Sequence, residues 1–316
     1  MTLSLKKRLT ACPACGAKES PKEYCPTSFL KGDKRWIVEC PSCGFSWISP
    51  MPTQKEIEPY YHAGYYNFNR HNEEGKGWYW ARLLKSIQPQ GRFLDIGCAT
   101  GFFLNGIKSN CDWELYGQEM GKDAAQYARK KLGLDVRNDP LEKARFPKDF
   151  FDFIHFNNVL EHVTNPALTL KEAGRILKPG GTLFLAIPNG GVNRRSFKNY
   201  FDATGERGAS VDGHLLFFSP KSLHLLAEKS GLQVVRAYGT GLKRSFRVLG
   251  YLPKKKGWEE EFQGRREGET SVEKAVEQGK PRPKLYYLFK HARENLLRFP
   301  GLPSFTYDYN LYLTKN

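Results

Sequence analysis

The segment Arg92-Phe-Leu-Asp95-Ile-Gly97-Cys-Ala-Thr-Gly101-Phe-Phe-Leu limits the possible folds more than any other part of the chain. A short apolar run of strand length stops at a loop holding two glycines, and a run of helical character starts directly after it. Glycine at such a crossing lets the backbone approach a bound nucleotide, and the absence of long side chains at the strand's C-terminal end leaves a crevice for it. From about residue 91 onward, apolar β-type runs alternate with helical stretches, which predicts a parallel sheet covered by helices.

A glycine-rich turn alone serves both dehydrogenases and methyltransferases, so its neighbours must narrow the choice. The next strand, Trp113-Glu-Leu-Tyr-Gly117-Gln, ends in Glu119. That position lies about 20 residues past the loop, where a carboxylate can accept hydrogen bonds from both hydroxyls of a ribose. NAD and S-adenosylmethionine both meet this requirement.

The order of motifs is more specific. Leu94-Asp-Ile-Gly-Cys-Ala-Thr-Gly101, Gly117-Gln-Glu119, Phe151-Asp-Phe-Ile-His-Phe-Asn-Asn-Val-Leu-Glu-His162-Val and Leu177-Lys-Pro-Gly-Gly181-Thr-Leu-Phe follow one another across residues 91 to 238. In sequence and spacing they resemble the class I S-adenosylmethionine-dependent methyltransferases. The resemblance implies an enzyme with a Rossmann-like α/β fold, a seven-stranded sheet whose last strand is antiparallel. It places the methionine part of the cofactor against Asp95, Gly97 and Gly101 and the ribose on Glu119. Asn138, Asp139 and Leu141, after a third strand at Leu134-Asp-Val136, would lie by the adenine, and Asn157 would face the methionine end. Asp95 has an alternative reading as a loop brace, and Asp139 as a turn residue in Asn-Asp-Pro. Ala99 stands where the family more often has glycine; its methyl group is accommodated if the backbone there stays in an ordinary region.

Methyl transfer asks the protein to align an acceptor and, where needed, to take its proton. Glu161 and His162 follow the fourth strand, and His214 lies in Gly213-His-Leu-Leu-Phe-Phe-Ser219-Pro before an expected helix. These three are the candidate catalytic residues. Glu161 and His162 could equally brace the start of the Asn165-Pro166 helix, and His214 could be a packed loop histidine. His155, inside the fourth strand, reads as a core residue. Tyr60-Tyr61-His62-Ala-Gly-Tyr65-Tyr66 is either a lid over the acceptor or a seam between modules. Trp80, Leu83, Leu84 and Ile87 recur at helical spacing as a packed face.

Ahead of this core, Cys12-Pro-Ala-Cys15-Gly16 and Cys40-Pro-Ser-Cys43-Gly44 repeat one local device, two thiolates converging from a tight turn. Four sulfur donors favour tetrahedral zinc over harder cations, in a closed, structural site. Arg35-Trp-Ile-Val-Glu39 reads as the strand feeding the second pair. The remaining cysteines are scattered, which suits a reducing compartment better than a disulfide framework. The domain reading is therefore a zinc ribbon at 1–50, an aromatic linker and helix at 51–90, and a methyltransferase domain at 91–316. The opening residues lack a secretory signal and no apolar run reaches membrane-spanning length, so a cytoplasmic protein is expected.

Leu232 to Tyr238 reads as the sixth strand and Phe305 to Leu313 as the seventh, with a long insertion at about 239–304. Residues 241–300 hold 15 Lys or Arg against 8 Glu, part of a net charge of +16 that would attract anionic partners. Leu285, Leu288, Phe289, Ala292, Leu296 and Phe299 suggest an amphipathic helix there, and Gly257 to Gly279 a polar loop. The first expectation for the acceptor is a small molecule methylated at O or C, anionic or sugar-like, such as a nucleotide-linked metabolite. The alternatives are RNA held by the ribbon and the basic insertion, and a cofactor-binding protein without turnover. Asn157-Asn158-Val159-Leu160 stands where base-amino methylases place Asn-Pro-Pro-Tyr, which counts against one RNA chemistry.

Overall fold

A computed structural model describes residues 9–30, 32–58, 70–209, 213–262 and 282–315. The first layer is a small antiparallel sheet of β1 (Lys22–Thr27), β2 (Arg35–Glu39) and β3 (Ser46–Ser49). Glycines 16 and 44, at φ +77° and +70°, close the two cysteine turns by donating to the carbonyls of Cys12 and Cys40. These left-handed angles suit glycine because a Cβ would be strained there. A short helix α1 (Gln54–Ile57) follows, capped by Thr53 and Glu56. Glu56 also joins Asp33 in binding the wholly buried Arg35 guanidinium, which fixes α1 to β2.

Helix α2 (Arg70–Ile87) then leads into the alternating core. In order come β4 (Arg92–Ile96), α3 (Phe102–Lys108), β5 (Glu114–Gln118), α4 (Lys122–Leu132), β6 (Asp135–Arg137), β7 (Phe151–Asn157), α5 (Pro166–Ile176), β8 (Leu177–Pro188) and α6 (Gly190–Thr204). After them lie β9 (Leu216–Phe217), α7 (Pro220–Lys229), β10 (Leu232–Thr240), α8 (Leu242–Leu249), α9 (Lys284–Leu296), β11 (Phe299–Pro300) and β12 (Asp308–Lys315).

The large sheet has the order β11-β10-β12-β8-β7-β4-β5-β6. Strands β4, β5, β6, β7 and β8 run parallel, and β12 lies antiparallel between β8 and β10. This is the expected seven-stranded Rossmann-like sheet with an antiparallel last strand, extended by the two-residue β11 at the edge of β10. The order reverses between β4 and β7, and the crevice of such a sheet opens there, above the strands' C-terminal ends.

The small sheet does not stand apart. Its β3 pairs with β9 from the far half of the chain. Ile48 N–H donates to the Leu215 carbonyl at 3.0 Å, Ser219 Oγ to the Cys43 carbonyl at 2.6 Å and Lys221 Nζ to the Ser42 carbonyl at 2.7 Å. Phe45, Trp47 and Ile48 belong to the same apolar core as Leu216, Phe217 and Phe218.

Three sequence readings need correction. Ala99 has φ +48°, so its backbone lies in the left-handed region and not in an ordinary one. The helix in the insertion forms, but Leu285, Phe289, Ala292 and Leu296 lie on its exposed side, and Tyr287 is the residue that packs inward, its hydroxyl donating to the His71 carbonyl. Phe299 is in β11 rather than in that helix. On α2 the buried face is Gly77, Ala81 and Leu84, whereas Ile87 is 52% exposed. The aromatic stretch 60–66 and residues 263–281 of the insertion lie outside the described residues.

Candidate functional site

A cavity of about 740 Å³ opens at the strand-order reversal. One half is built by the loops after β4, β5 and β7. Asp95, the penultimate residue of β4, is 5% exposed and faces His155 on the adjacent β7 at Oδ1···Nδ1 2.7 Å. Burial holds the Asp95 carboxyl above its ordinary range, while the hydrogen bond with His155 draws it down. Trp80 of α2 closes over this pair, its ring 4.8 Å from that of His155 and edge-on.

Glu119 directly follows the last residue of β5 and is 4% exposed. Its Oε2 accepts from Ala99 N–H at 2.8 Å and its Oε1 from Gly121 N–H at 2.7 Å, so its carboxylate is fixed between two loops. Met120 and Leu141 line the adjacent wall. An acidic group at either end of a slot with apolar walls suits a ligand that carries a cation, a ribose and an aromatic base.

The other half is lined by Asn157, Asn158, His162, His214, Arg244, Tyr307 and Asp308. A single turn of 3-10 helix, Leu160–His162, carries Glu161 and His162 off the end of β7. His214 arrives from the opposite side and is tied there by the Leu215 N–H, which donates to the Glu161 carbonyl at 2.9 Å. His162 Nδ1 lies 3.2 Å from the Gly213 carbonyl, and His214 Nδ1 3.2 Å from Asn193 Oδ1. Because these oxygens only accept, each Nδ1 carries a proton, and the neutral His214 presents a lone pair at Nε2. Both Nε2 atoms lie 3.9 Å from Glu161 Oε1, and Glu161 itself is 1% exposed. Burial, with the charge of Arg244 acting in the same sense, lowers His214 to about 4, so it is neutral near pH 7. Burial likewise raises Asp308 to about 6, against the pull of Arg244. The Arg244 guanidinium stacks over the Tyr307 ring at 4.0 Å.

At the ribbon, the Sγ atoms of Cys12, Cys15, Cys40 and Cys43 all lie within 4.8 Å of one another. Cys12 and Cys43 are 3.7 Å apart, as are Cys15 and Cys40. Sulfurs about 2.3 Å from a tetrahedral zinc are about 3.8 Å from each other, so the four fit that ion. The contact between Cys12 and Cys43 couples the two thiols, drawing that of Cys12 down and pushing that of Cys43 up.

Of the residues singled out in the sequence, Asp95, Gly97, Glu119, Leu141, Asn157, His162 and His214 line the cavity. Glu161 lies behind the two histidines. Gly101, Asn138 and Asp139 are not among the lining residues. Gly101 caps α3 at φ +80°, where a Cβ would meet Leu134 Cδ1 at 2.7 Å and Ala128 Cβ at 3.0 Å, so it serves close packing against α4. Asn138 Nδ2 donates to the carbonyls of Glu119 and Met120 at 2.7 and 3.0 Å, bracing the loop that carries the carboxylate. Asp139 is exposed and contributes its carbonyl to Gln118 Nε2. The sequence reading missed His155 as the partner of Asp95, and it missed Trp80, Arg244 and Asp308 as wall residues. A histidine in an otherwise apolar strand, one strand away from Asp95, was the available signal for the first. Nothing local marked the others.

Comparison with known proteins agrees with this architecture. Residues 68–237 match a family model described as a methyltransferase domain. An uncharacterized protein of Methanocaldococcus jannaschii is 29% identical over 165 residues, 52% of this chain and 76% of that protein. A ubiquinone biosynthesis O-methyltransferase of Parvibaculum lavamentivorans is 30% identical over 121 residues, 37% of this chain; the match spans only 47% of the relative's length. Among solved structures, a SAM-dependent methyltransferase of Thermotoga maritima has 21% identity and a TM-score of 0.46, with 83% of this chain and 96% of that one covered. The match of the family model over more than half of the chain, on a sheet of this order, places the protein among the class I S-adenosylmethionine-dependent methyltransferases.

Proposed function

We propose that the chain methylates a small polar molecule at O or C, with an anionic or sugar-like metabolite, including a nucleotide-linked sugar, as the acceptor class. The observation that carries this reading is the continuity of one cavity from the Asp95 and Glu119 half to a half lined by His162, His214 and Arg244. Bound S-adenosylmethionine would supply an activated methyl group. Asp95 would hold its cationic methionine end and Glu119 its ribose, with Asn157 beside the methionine and Leu141 beside the adenine. Gly101, Asn138 and Asp139 act from outside the cavity wall, by packing and bracing. His214, neutral near pH 7, has the state a proton acceptor needs. Arg244 offers a charge to an anionic substituent, and the buried walls exclude water from the reacting groups.

The cysteine quartet is read as a structural zinc site, its role being to hold the turns that position β3. No helix among the described residues is long and apolar enough to cross a membrane, and a cytoplasmic location is part of the same proposal. The test is transfer of a labelled methyl group to separate pools of nucleotide-sugars, small acids and RNA. Label in the small-molecule pools supports the reading. Label in RNA alone replaces it with the RNA reading, and cofactor binding with no labelled pool favours a protein without turnover.

A further inference from the structure

In the acceptor half, Arg244 and Asp308 line one wall with opposite charges and do not pair with each other. We propose that they form a two-point receptor for the acceptor, Arg244 binding an anionic group of it and Asp308 accepting a hydrogen bond from one of its hydroxyls. The acceptor is then a hydroxylated organic anion, such as a uronic acid or a sugar phosphate. This deepens the methyl-transfer reading and rests on it for the bound molecule being a methyl acceptor.

Sheet topology brings the two residues to the crevice. Because β12 runs antiparallel to β8, its first residue, Asp308, lies opposite Pro188, the last residue of β8, at the end of the sheet where the parallel strands open. On its other side Asp308 pairs with Thr240, the last residue of β10. The chain turns at Gly241 into α8, and Arg244 is the third residue of that helix. Gly241 has φ +77°, and a Cβ there would stand 2.7 Å from Tyr307 Cβ and 2.9 Å from Asp308 Oδ2, so glycine is what lets α8 begin this close to the carboxyl. Tyr307 N–H donates to the Thr240 carbonyl at 2.8 Å and Asn189 N–H to that of Tyr307 at 2.7 Å, which fixes the backbone under both side chains.

Neither charged group is engaged by hydrogen bonds of the protein. Among the described residues the exposed Arg244 guanidinium makes no hydrogen bond or ion pair; its stacking on Tyr307 at 4.0 Å uses its face and leaves the N–H donors in its plane for a ligand. The half-buried Asp308 carboxyl likewise receives no donor among the described residues, and the charge of Arg244 reaches it only as a longer-range pull. A carboxylate held partly out of water without a donor carries a free-energy cost that a ligand hydroxyl offsets. A planar guanidinium matches a carboxylate or phosphate through two parallel hydrogen bonds. The rest of this wall, Asn157, Asn158 and the neutral His214, offers uncharged hydrogen-bonding groups, which suit further hydroxyls better than a second charge.

The full chain, with its ribbon zinc in place, is titrated by calorimetry with S-adenosylhomocysteine and then, with and without that ligand, with a set of probes. D-glucuronate and glucose 1-phosphate carry both an anionic group and hydroxyls, methyl glucoside has hydroxyls alone, and cyclohexanecarboxylate has a charge alone. At least one of the two-group probes should bind roughly tenfold or more tightly than both single-group probes. Arg244→Gln and Asp308→Asn should each weaken that binding roughly tenfold, with S-adenosylhomocysteine affinity retained. Absence of any preference for the two-group probes overturns the proposal, as does binding that either substitution leaves unchanged. Probe preference in a chain that binds no S-adenosylhomocysteine would uphold the receptor and reject the methyl-transfer reading. S-adenosylhomocysteine binding without probe preference would reject the receptor alone, so the two failures are separable.

Discussion

Glu119→Gln is a sharp perturbation because it changes one atom in a carboxylate whose two oxygens are both engaged. Each oxygen accepts a backbone N–H, from Ala99 at 2.8 Å and from Gly121 at 2.7 Å. An amide keeps one acceptor and turns an NH₂ toward the other N–H, donor against donor. One hydrogen bond to a charged group is lost, about 1.5–3 kcal/mol, and the surviving bond loses its charge assistance, about 0.5–1 kcal/mol more. The total is about 2–4 kcal/mol. It appears as lost stability if the loops keep their shape, and as lost affinity if they relax and must be drawn back by the ligand. A loss expressed wholly in affinity would weaken S-adenosylmethionine binding roughly 30- to 1,000-fold. Calorimetric titration gives the affinity and urea unfolding the stability, and the two losses together should equal the total. Binding within about threefold of wild type, with stability within about 0.5 kcal/mol, would refute the reasoning.

Other perturbations test other parts of the site. Ala99→Gly removes a left-handed backbone cost of about 1–2 kcal/mol at a cost of about 0.4–1 kcal/mol in unfolded-chain entropy, so the variant should resist urea slightly better; a less stable variant would show that contacts of the methyl group outweigh the strain. His155→Phe deletes the hydrogen bond that draws the Asp95 carboxyl down against burial, so Asp95 should protonate at higher pH. Since its carboxylate form is the one expected to bind, affinity should fail at higher pH than in wild type as pH decreases, and superimposable calorimetric profiles across about pH 4 to 8 would exclude this. Cys43→Ser should reduce bound zinc and lower the unfolding temperature of the whole chain, since β3 is paired with β9. Separate melting of the ribbon with the remainder unchanged would contradict that coupling.

The parallel core was readable because its pattern is local. A strand, two glycines and a helix occupy a dozen residues, and each later motif repeats the same logic. The same holds for the cysteine turns, where Gly16 and Gly44 adopt the angles their position demands. The acceptor half was only partly legible. Glu161, His162 and His214 were visible as residue types, but their convergence depends on Leu215 bonding back to Glu161 across more than 50 residues, which no periodicity reports. Arg244 and Asp308 reach the cavity from the last third of the chain, placed by the antiparallel insertion of β12. The face of α9 was misread because its apolar stripe has helical spacing, whereas the contact with α2 uses the amphipathic Tyr287.

The pairing of β3 with β9 also has a temporal side. Ser46 and Phe217 are partners although about 170 residues separate them in the chain. A ribosome releases the cysteine turns and β1 to β3 long before β9, leaving one margin of the small sheet open in the interval. Such a margin is a template for the wrong neighbour, another nascent chain included. Early capture of zinc would steady the turns during that wait, while the strand that completes the sheet is still unmade. The yield of active protein should therefore respond to zinc supply during synthesis more steeply than to zinc added after folding is complete.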